Sequence, residues 1–304
     1  MERAVRPRRS SLARREAWEG YLFISPWIVG FLVFVAGPMI ASIALAFTEW
    51  NLLSPPRWVG LANFQALFTD PLFWQALKVT AIYAAVAVPL DLFAALLLAS
   101  LLNQKLRGIG AYRTIFYLPT ILPGVVTAVV WRWIFNPEIG LINNLLALFR
   151  IPGPLWLMSP AWALPALIIM SLWTIGTATV IFLGGLQGVP AELHEAAAID
   201  GAGPWRRFWR ITVPLVSPSI FFNLITGMIG AFQVFTLPYI MTGGGPQNAT
   251  LFYVLYLYEN AFTYGKMGYA SAMAWVLFVI IVVLTVIQFR LSRRWVYYAG
   301  GEAA

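Results

Sequence analysis

Six apolar runs divide this chain, and five of them contain no Asp, Glu, Lys or Arg: Tyr21–Phe47, Thr114–Val130, Trp162–Leu186, Ile211–Met241 and Met267–Phe289. The sixth, Val79–Leu102, holds a single ionisable residue, Asp91. Crossing a bilayer takes roughly 20 apolar residues in a helix, and each run is near or above that length. With no water to satisfy the backbone in lipid, runs of this kind are expected to be helices. The ten-residue alternation of a β-barrel is absent. The expected fold class is therefore an all-α membrane protein with six transmembrane helices. Composition agrees: 60% of the 304 residues are hydrophobic and 11% charged, against about 25% charged in soluble domains.

The net charge is +8, but its distribution points to a membrane surface and not to nucleic acid. Arg3, Arg6, Arg8, Arg9, Arg14 and Arg15 precede the first run. Lys105, Arg107 and Arg113 follow the second, Arg206, Arg207 and Arg210 follow the fourth, and Arg290, Arg293 and Arg294 follow the sixth. The remaining connections hold only Arg57, Lys78, Arg132, Arg150 and Lys266. The positive-inside rule then places both termini and the two basic loops in the cytoplasm. Trp27, Trp50, Trp74, Trp131, Trp133, Tyr239 and Trp295 lie near run ends, as interfacial aromatic belts do. Tyr21–Phe47 exceeds the apolar core of about 7–15 residues in a signal peptide, and the charge alternation requires it, so it is expected to be retained. "FNPEIGLINNLLALFRIPGPLW" (Phe135–Trp156) reads as a short interfacial helix between turns.

Most catalytic classes find no support. There is no cysteine and one histidine, His194, so neither thiolate nor histidine metal sites are expected. No P-loop occurs: "YGKMG" (Tyr264–Gly268) has a Gly-Lys pair without the upstream Gly or the following Ser/Thr. "GIGAYR" (Gly108–Arg113) lacks the third Gly of a dinucleotide fingerprint, and neither H-E-x-x-H nor G-x-S-x-G is present. The chain is expected not to be an enzyme and to hold no cofactor or metal itself.

One charged stretch stands out, "VPAELHEAAAIDGAGPWRRFWRITVP", residues 189–214. Pro190 suits the start of a helix, and Glu192 then lies where the helix dipole favours a negative charge. Ala191–Ile199 holds good helix formers, and Gly201 falls where a left-handed residue ends a helix. Leu193, Ala196 and Ala197, at i, i+3 and i+4, make a small, mildly apolar face. The expected structure is a helix, a stop and a second helix leading into the fifth run. On physics alone it is either a docking element or an amphipathic helix resting on lipid headgroups.

"EAAAIDGAGPWRRFWRITVP" resembles the EAA loop of the permease subunits of binding-protein-dependent ABC importers. Glu195, Ala196, Ala197, Gly201, Ile211 and Pro214 fall at that pattern's spacing, with Asp200 beside the glycine and Val213 in place of its Leu. "DPLFWQALKVTAIY", "GLINNLLALF" and "AFQVFTLPYIMTGGGPQNATLFYVLYLYENAFTYGKMGYASAMAW" are similar to the carbohydrate branch, and within it to the first of two paired permeases of the maltose or glycerol-3-phosphate kind. No large domain interrupts the outside loops, unlike some maltose-type members. The resemblance implies the type I ABC importer permease fold, in the cell inner membrane. The implied partners are a second homologous permease, an ATPase pair that binds the ATP and magnesium, an extracytoplasmic sugar-binding protein and membrane lipid. It also implies a division into a basic cytoplasmic tail at 1–20, a first helix and outside loop at 21–72, a permease core at 73–291 with the coupling loop at 189–214, and a cytoplasmic tail at 292–304. Glu195, Ala196, Ala197, Asp200, Gly201, Ile211 and Pro214 would couple to the ATPase.

A sugar path near mid-membrane needs hydroxyl partners and flat apolar faces. Ser171, Trp173, Thr174, Asn223, Thr226, Gln233 and Tyr239 are the candidates, although Ser, Thr and Asn also glue helices together. Asp91 is expected to be structural, protonated or bonded to a neighbouring helix near Pro89. An ion-coupled carrier would need more titratable groups in the spans. A scaffold subunit would leave the EAA spacing unexplained. A glycerol-3-phosphate cargo would want Lys or Arg in the pore, and the runs contain none.

Overall fold

A computed structural model describes residues 11–104 and 106–297. Arg3, Arg6, Arg8, Arg9 and Lys105, which carry part of the orientation argument, lie outside the described residues, as does the end of the C-terminal segment.

The first helix begins at Ser11, inside the stretch assigned to the basic tail. It runs through α1 (Ser11–Phe31) and a π-turn at Leu32–Ala36 into α2 (Gly37–Ala46). The π-turn has a local cause. Pro38 has no N–H and its ring crowds the preceding turn, and the helix widens so that Gly37 N–H reaches Leu32 O. A two-stranded antiparallel ribbon follows, β1 (Thr48–Glu49) and β2 (Arg57–Trp58), pairing Thr48 with Trp58 and Glu49 with Arg57. It is the one departure from an all-α chain among the described residues. Then come α3 (Ala62–Thr69) and α4 (Pro71–Leu102), 32 residues long. Asp70 caps α4 through Oδ1, which accepts from Leu72 N–H at 2.9 Å.

The third run is where expectation and structure part. Thr114–Val130 is not one straight span: α5 (Ile109–Ile121) and α6 (Gly124–Ile134) meet at 100°. Leu122, at φ −69° and ψ 135°, is held extended by the following Pro123. Composition stays apolar through the bend, so no change of residue type announces it. The short helix expected within Phe135–Trp156 is α7 (Leu141–Leu148). The fourth run forms α8 (Pro160–Ser171) and α9 (Gly176–Gln187), bent by 47° across a 3₁₀ turn at Leu172–Thr174. Next are α10 (Ala191–Ile199) and α11 (Pro204–Arg207). The fifth run continues through a π-turn at Phe208–Thr212 into α12 (Val213–Phe232), then breaks before α13 (Thr236–Met241). The chain ends in α14 (Tyr253–Tyr258) and α15 (Met267–Ser292). Among the described residues, four helices are each long and apolar enough to cross a membrane, and up to six are if each bent pair is one span.

The core forms around α4, which is apolar around most of its surface apart from Gln75, Lys78 and Asp91. Phe73, Ala76, Thr80, Tyr83 and Ala87 are buried along one face. That face holds α14: Tyr253 N–H donates to Thr80 Oγ1 at 2.8 Å, and Tyr83 meets Phe252 edge-on at 5.1 Å. Tyr253 in turn donates its hydroxyl to Met273 O of α15 at 2.9 Å. Toward the other end of α4, Ala95, Leu96 and Ala99 pack with Phe182, Leu183 and Leu186 of α9 and Val216 of α12. Small side chains there let backbones approach, which is how helices associate in lipid. By contrast, the most apolar window of the first helix has no residue buried within the chain.

Candidate coupling helix and intramembrane cavity

The expected helix, stop and second helix are all present between residues 190 and 212. Pro190 caps α10, Glu192 lies in its first turn, and Asp200 ends it. Gly201 has φ +77°, in the left-handed region, where an L side chain is disfavoured. Ala202 N–H bonds Ala197 O at 2.8 Å and Gly201 N–H bonds Ala198 O at 3.1 Å. These two bonds make a Schellman stop and satisfy carbonyls that the helix end would otherwise leave open.

Nothing in the described residues covers α10. Glu195, Ala196 and Asp200 are exposed and Ala197 is half-buried. Leu193, part of the expected face, is 44% exposed, and Ile199, which that expectation did not include, is 88% exposed and adds a large aliphatic side chain. An apolar surface on a short, firmly capped helix is what a protein partner would bury. A brace missed in the sequence holds this helix: Arg207 Nη1 donates to His194 O at 3.3 Å, tying α11 to α10. Ile211 lies in the π-turn and Pro214 in the first turn of α12, both half-buried. Pro214 has no N–H to give to the turn before it, and Val213 N–H instead reaches Phe208 O, the same accommodation as at Pro38. A cavity of about 590 Å³ lies under α10, lined by Glu195, His194, Ser100, Asn103, Gln187 and Thr212 among others.

Higher in the bundle lies a second cavity, of about 390 Å³, between α4, the α8–α9 bend and α12. Four of the seven candidate path residues line it: Ser171, Thr174, Asn223 and Thr226. The other three lie elsewhere. Trp173 meets Trp131 edge-on at 5.8 Å, Gln233 is the exposed cap of α12, and Tyr239 stacks on Phe235 at 5.2 Å. Asp91 lines the cavity too, and Ser171 Oγ donates to its Oδ1 at 2.8 Å. The expected bond to a neighbouring helix is therefore present, on a carboxylate that also faces the cavity. Gly176 lets the start of α9 pack closely on α5: a Cβ there would come within 2.7 Å of Thr120 Cγ2 and 2.8 Å of Phe116 O. Thr174, Thr226 and Asn223 donate to carbonyls of their own helices, Ser171 O, Phe222 O and Ser219 O. Their remaining oxygen lone pairs are the polar capacity of the cavity. Its lining includes no Lys or Arg.

Residues 91–297, from the cavity carboxylate through α10 to the last described residue, match the family described as binding-protein-dependent transport system inner membrane component. The chain belongs to that family. It is an inner-membrane component of an ABC transport system, and several of its helices can span the membrane. Over 300 residues it is 47% identical to the probable ABC transporter permease protein YesP of Bacillus subtilis, covering 97% of each chain. It is 36% identical to the lactose transport system permease protein LacF of Rhizobium radiobacter, covering 94% of this chain and 98% of that one. Among solved structures, a chain of a bacterial ABC transporter involved in the import of the acidic polysaccharide alginate superposes with a TM-score of 0.81 at 26% identity, covering 92% of this chain and 96% of that one.

Proposed function

We propose that this chain is the first of two paired permeases in an ATP-driven, binding-protein-dependent importer of a neutral di- or oligosaccharide. In this reading it has six spans, with both termini in the cytoplasm. The observation that carries the proposal is the uncovered, Schellman-capped helix Ala191–Ile199, followed directly by the fifth span. A rigid helix joined to a span transmits displacement. Closure of an ATPase pair would move α10 and, through Arg207 and the fifth span, the bundle, giving alternating access by rigid-body motion. Gly201 sets the angle at which α10 leaves the bundle, and Glu195 and Asp200 present charge to the partner.

The cargo path would run along the cavity of Asp91, Ser171, Thr174, Asn223 and Thr226, with the second permease supplying the facing wall. Hydroxyls and an amide suit sugar hydroxyls, and a carboxylate accepts two of them strongly. A lone carboxylate without a Lys or Arg disfavours glycerol-3-phosphate as cargo. The ATP and magnesium would be bound by the ATPase subunits. The test is gentle detergent purification from the native host with mass spectrometry of what co-purifies. The reading expects a stoichiometric second permease and a P-loop ATPase, with the ATPase lost in Glu195→Lys. A chain that purifies alone and moves solute without ATP would overturn it, and would return attention to Asp91 as an ion-coupling site.

A further inference from the structure

Among the described residues, five arginines at one end of the molecule have no acidic partner. Arg206 and Arg210 stand where the fifth span begins, and Arg290, Arg293 and Arg294 where α15 ends. All five are exposed. Among the described residues the only ion pairs are Arg15–Glu19 and Arg57–Glu49, and none of the five donates a hydrogen bond to the protein. The two groups are distant in sequence but belong to packed helices. Phe221 of α12 meets Phe289 at 5.1 Å and Trp295 at 6.0 Å, both edge-on. Tyr297 N–H donates to Ser217 Oγ at 2.8 Å. Ser217 is seven residues beyond Arg210, about 10 Å along a helix at 1.5 Å per residue. The arginines therefore flank one junction between two candidate spans.

What surrounds them is apolar and uncovered. Trp205 is 70% exposed and Phe289 54%, and Trp209 and Trp295 are exposed as well. Leading up α15 toward Arg290, Val282, Val283, Val286 and Ile287 are exposed along the span. An inorganic anion would need only the arginines. Guanidinium groups at a helix junction, aromatic rings beside them and an aliphatic strip above match a headgroup, an interface and an acyl chain in that order.

We infer that the start of the fifth span and the end of the sixth form one binding site for the phosphate of an anionic phospholipid. The arginines present bidentate donors to the phosphate oxygens, and the rings and the α15 strip hold the glycerol and acyl region. Because α11 runs directly into the turn of Arg210 and Arg207 ties it to α10, the bound lipid anchors the base of the coupling helix against the bilayer.

The test uses the full chain with whatever subunits co-purify, delipidated in detergent and titrated with phosphatidylglycerol or phosphatidylcholine, with bound lipid counted by native mass spectrometry. Phosphatidylglycerol is expected to saturate at a defined stoichiometry that phosphatidylcholine does not reach. Attraction falls by about fivefold per basic residue removed, so R206Q/R210Q is expected to bind about 30-fold more weakly and R290Q/R293Q/R294Q about 150-fold more weakly. R206K/R210K, which keeps the charge but loses the bidentate fork, should bind more weakly than the parent and more tightly than R206Q/R210Q, and K266Q at the far end of α15 should change nothing. Equal binding of the two lipids overturns the inference, as does parental affinity in either glutamine variant. So does an effect from only one of the two arginine groups, since the site is claimed to be shared. A glutamine variant that loses its elution profile is replaced by the corresponding single substitutions, each expected to cost about fivefold. The assay needs neither cargo nor ATP, so its failure leaves the importer reading standing.

Discussion

Substitution of Gly201 isolates the coupling geometry from the fold. The residue has φ +77°, and a Cβ built there meets nothing within 4 Å. The cost of a side chain is therefore conformational and not steric. An L residue in the left-handed region costs roughly 1–2 kcal/mol, and a β-branched residue lies at the upper end. About 1.4 kcal/mol is a factor of ten in population, so Gly201→Val, at about 2 kcal/mol, should leave the Schellman-capped conformation roughly thirtyfold less favoured against frayed alternatives. What frays is the last turn of α10, held by the Ala202–Ala197 and Gly201–Ala198 bonds. The core around α4 does not touch it. Asn visits this region readily, so Gly201→Asn should stay near the parent, with Gly201→Ala between. Gly201→Asp adds a charge beside Asp200 and is expected to abolish coupling while sparing the fold. The assay is ATP-driven sugar uptake in proteoliposomes containing the co-purified complex, normalised to chain inserted. Expected uptake follows the order Gly, Asn, Ala, Val. Parental uptake in Gly201→Val, with the chain normally inserted, would refute the argument that this turn aims the coupling helix.

Other perturbations probe separate parts of the account. Asp91→Asn keeps the shape of the cavity and removes the charge. Bonds to charged groups contribute about 1.5–3 kcal/mol, so the half-saturating sugar concentration for uptake should rise about tenfold to a hundredfold, and an unchanged value would exclude Asp91 from the cargo path. Arg207→Met removes the brace to His194 O. ATPase retention on purification should fall several-fold while thermal stability of the chain in detergent changes little. Asp70 lies outside the spans; burial pushes its pKa up, but hydrogen bonds from the Tyr256 and Tyr269 hydroxyls and from Leu72 N–H outweigh that and hold it below the ordinary value. A depressed folded pKa contributes stability that is complete above the unfolded value of about 3.9 and is lost as pH falls through the folded value. Asp70→Asn should therefore lower the melting temperature by a few degrees at pH 7, with the gap to the parent shrinking below about pH 4; a gap that widens on acidification would contradict the sign.

How much of this was legible depends on what each feature rests on. The runs behind α4, α12 and α15 were visible because length and lack of charge suffice to mark a span. The stop at Gly201 was visible because a left-handed position strongly selects glycine. The 100° bend at Leu122–Pro123 was not, since apolar residues continue through it and Pro119 offers the same signal four residues earlier without breaking α5. The π-turns before Pro38 and Pro214 are likewise choices of backbone that residue types permit but do not require. The split among the path residues has another cause. A helix apolar on all sides carries no pattern to fix its rotation, so the sequence could not tell that Ser171 faces the cavity while Trp173, two residues on, meets Trp131. Nothing in the sequence separates Arg207 from Arg206 and Arg210, because its acceptor is a backbone carbonyl, which leaves no mark in the sequence.

The proposed docking of an ATPase on α10 is directly testable, because the chain contains no cysteine. Ile199→Cys places a single thiol on the most exposed aliphatic position of α10, and Phe262→Cys places one on an exposed position in the turn that precedes α15. Short bifunctional crosslinking in native membranes, followed by mass spectrometry of the adduct, should join Ile199→Cys to a P-loop ATPase and leave Phe262→Cys without that adduct. No ATPase adduct from Ile199→Cys, or equal yield from both positions, would contradict the account.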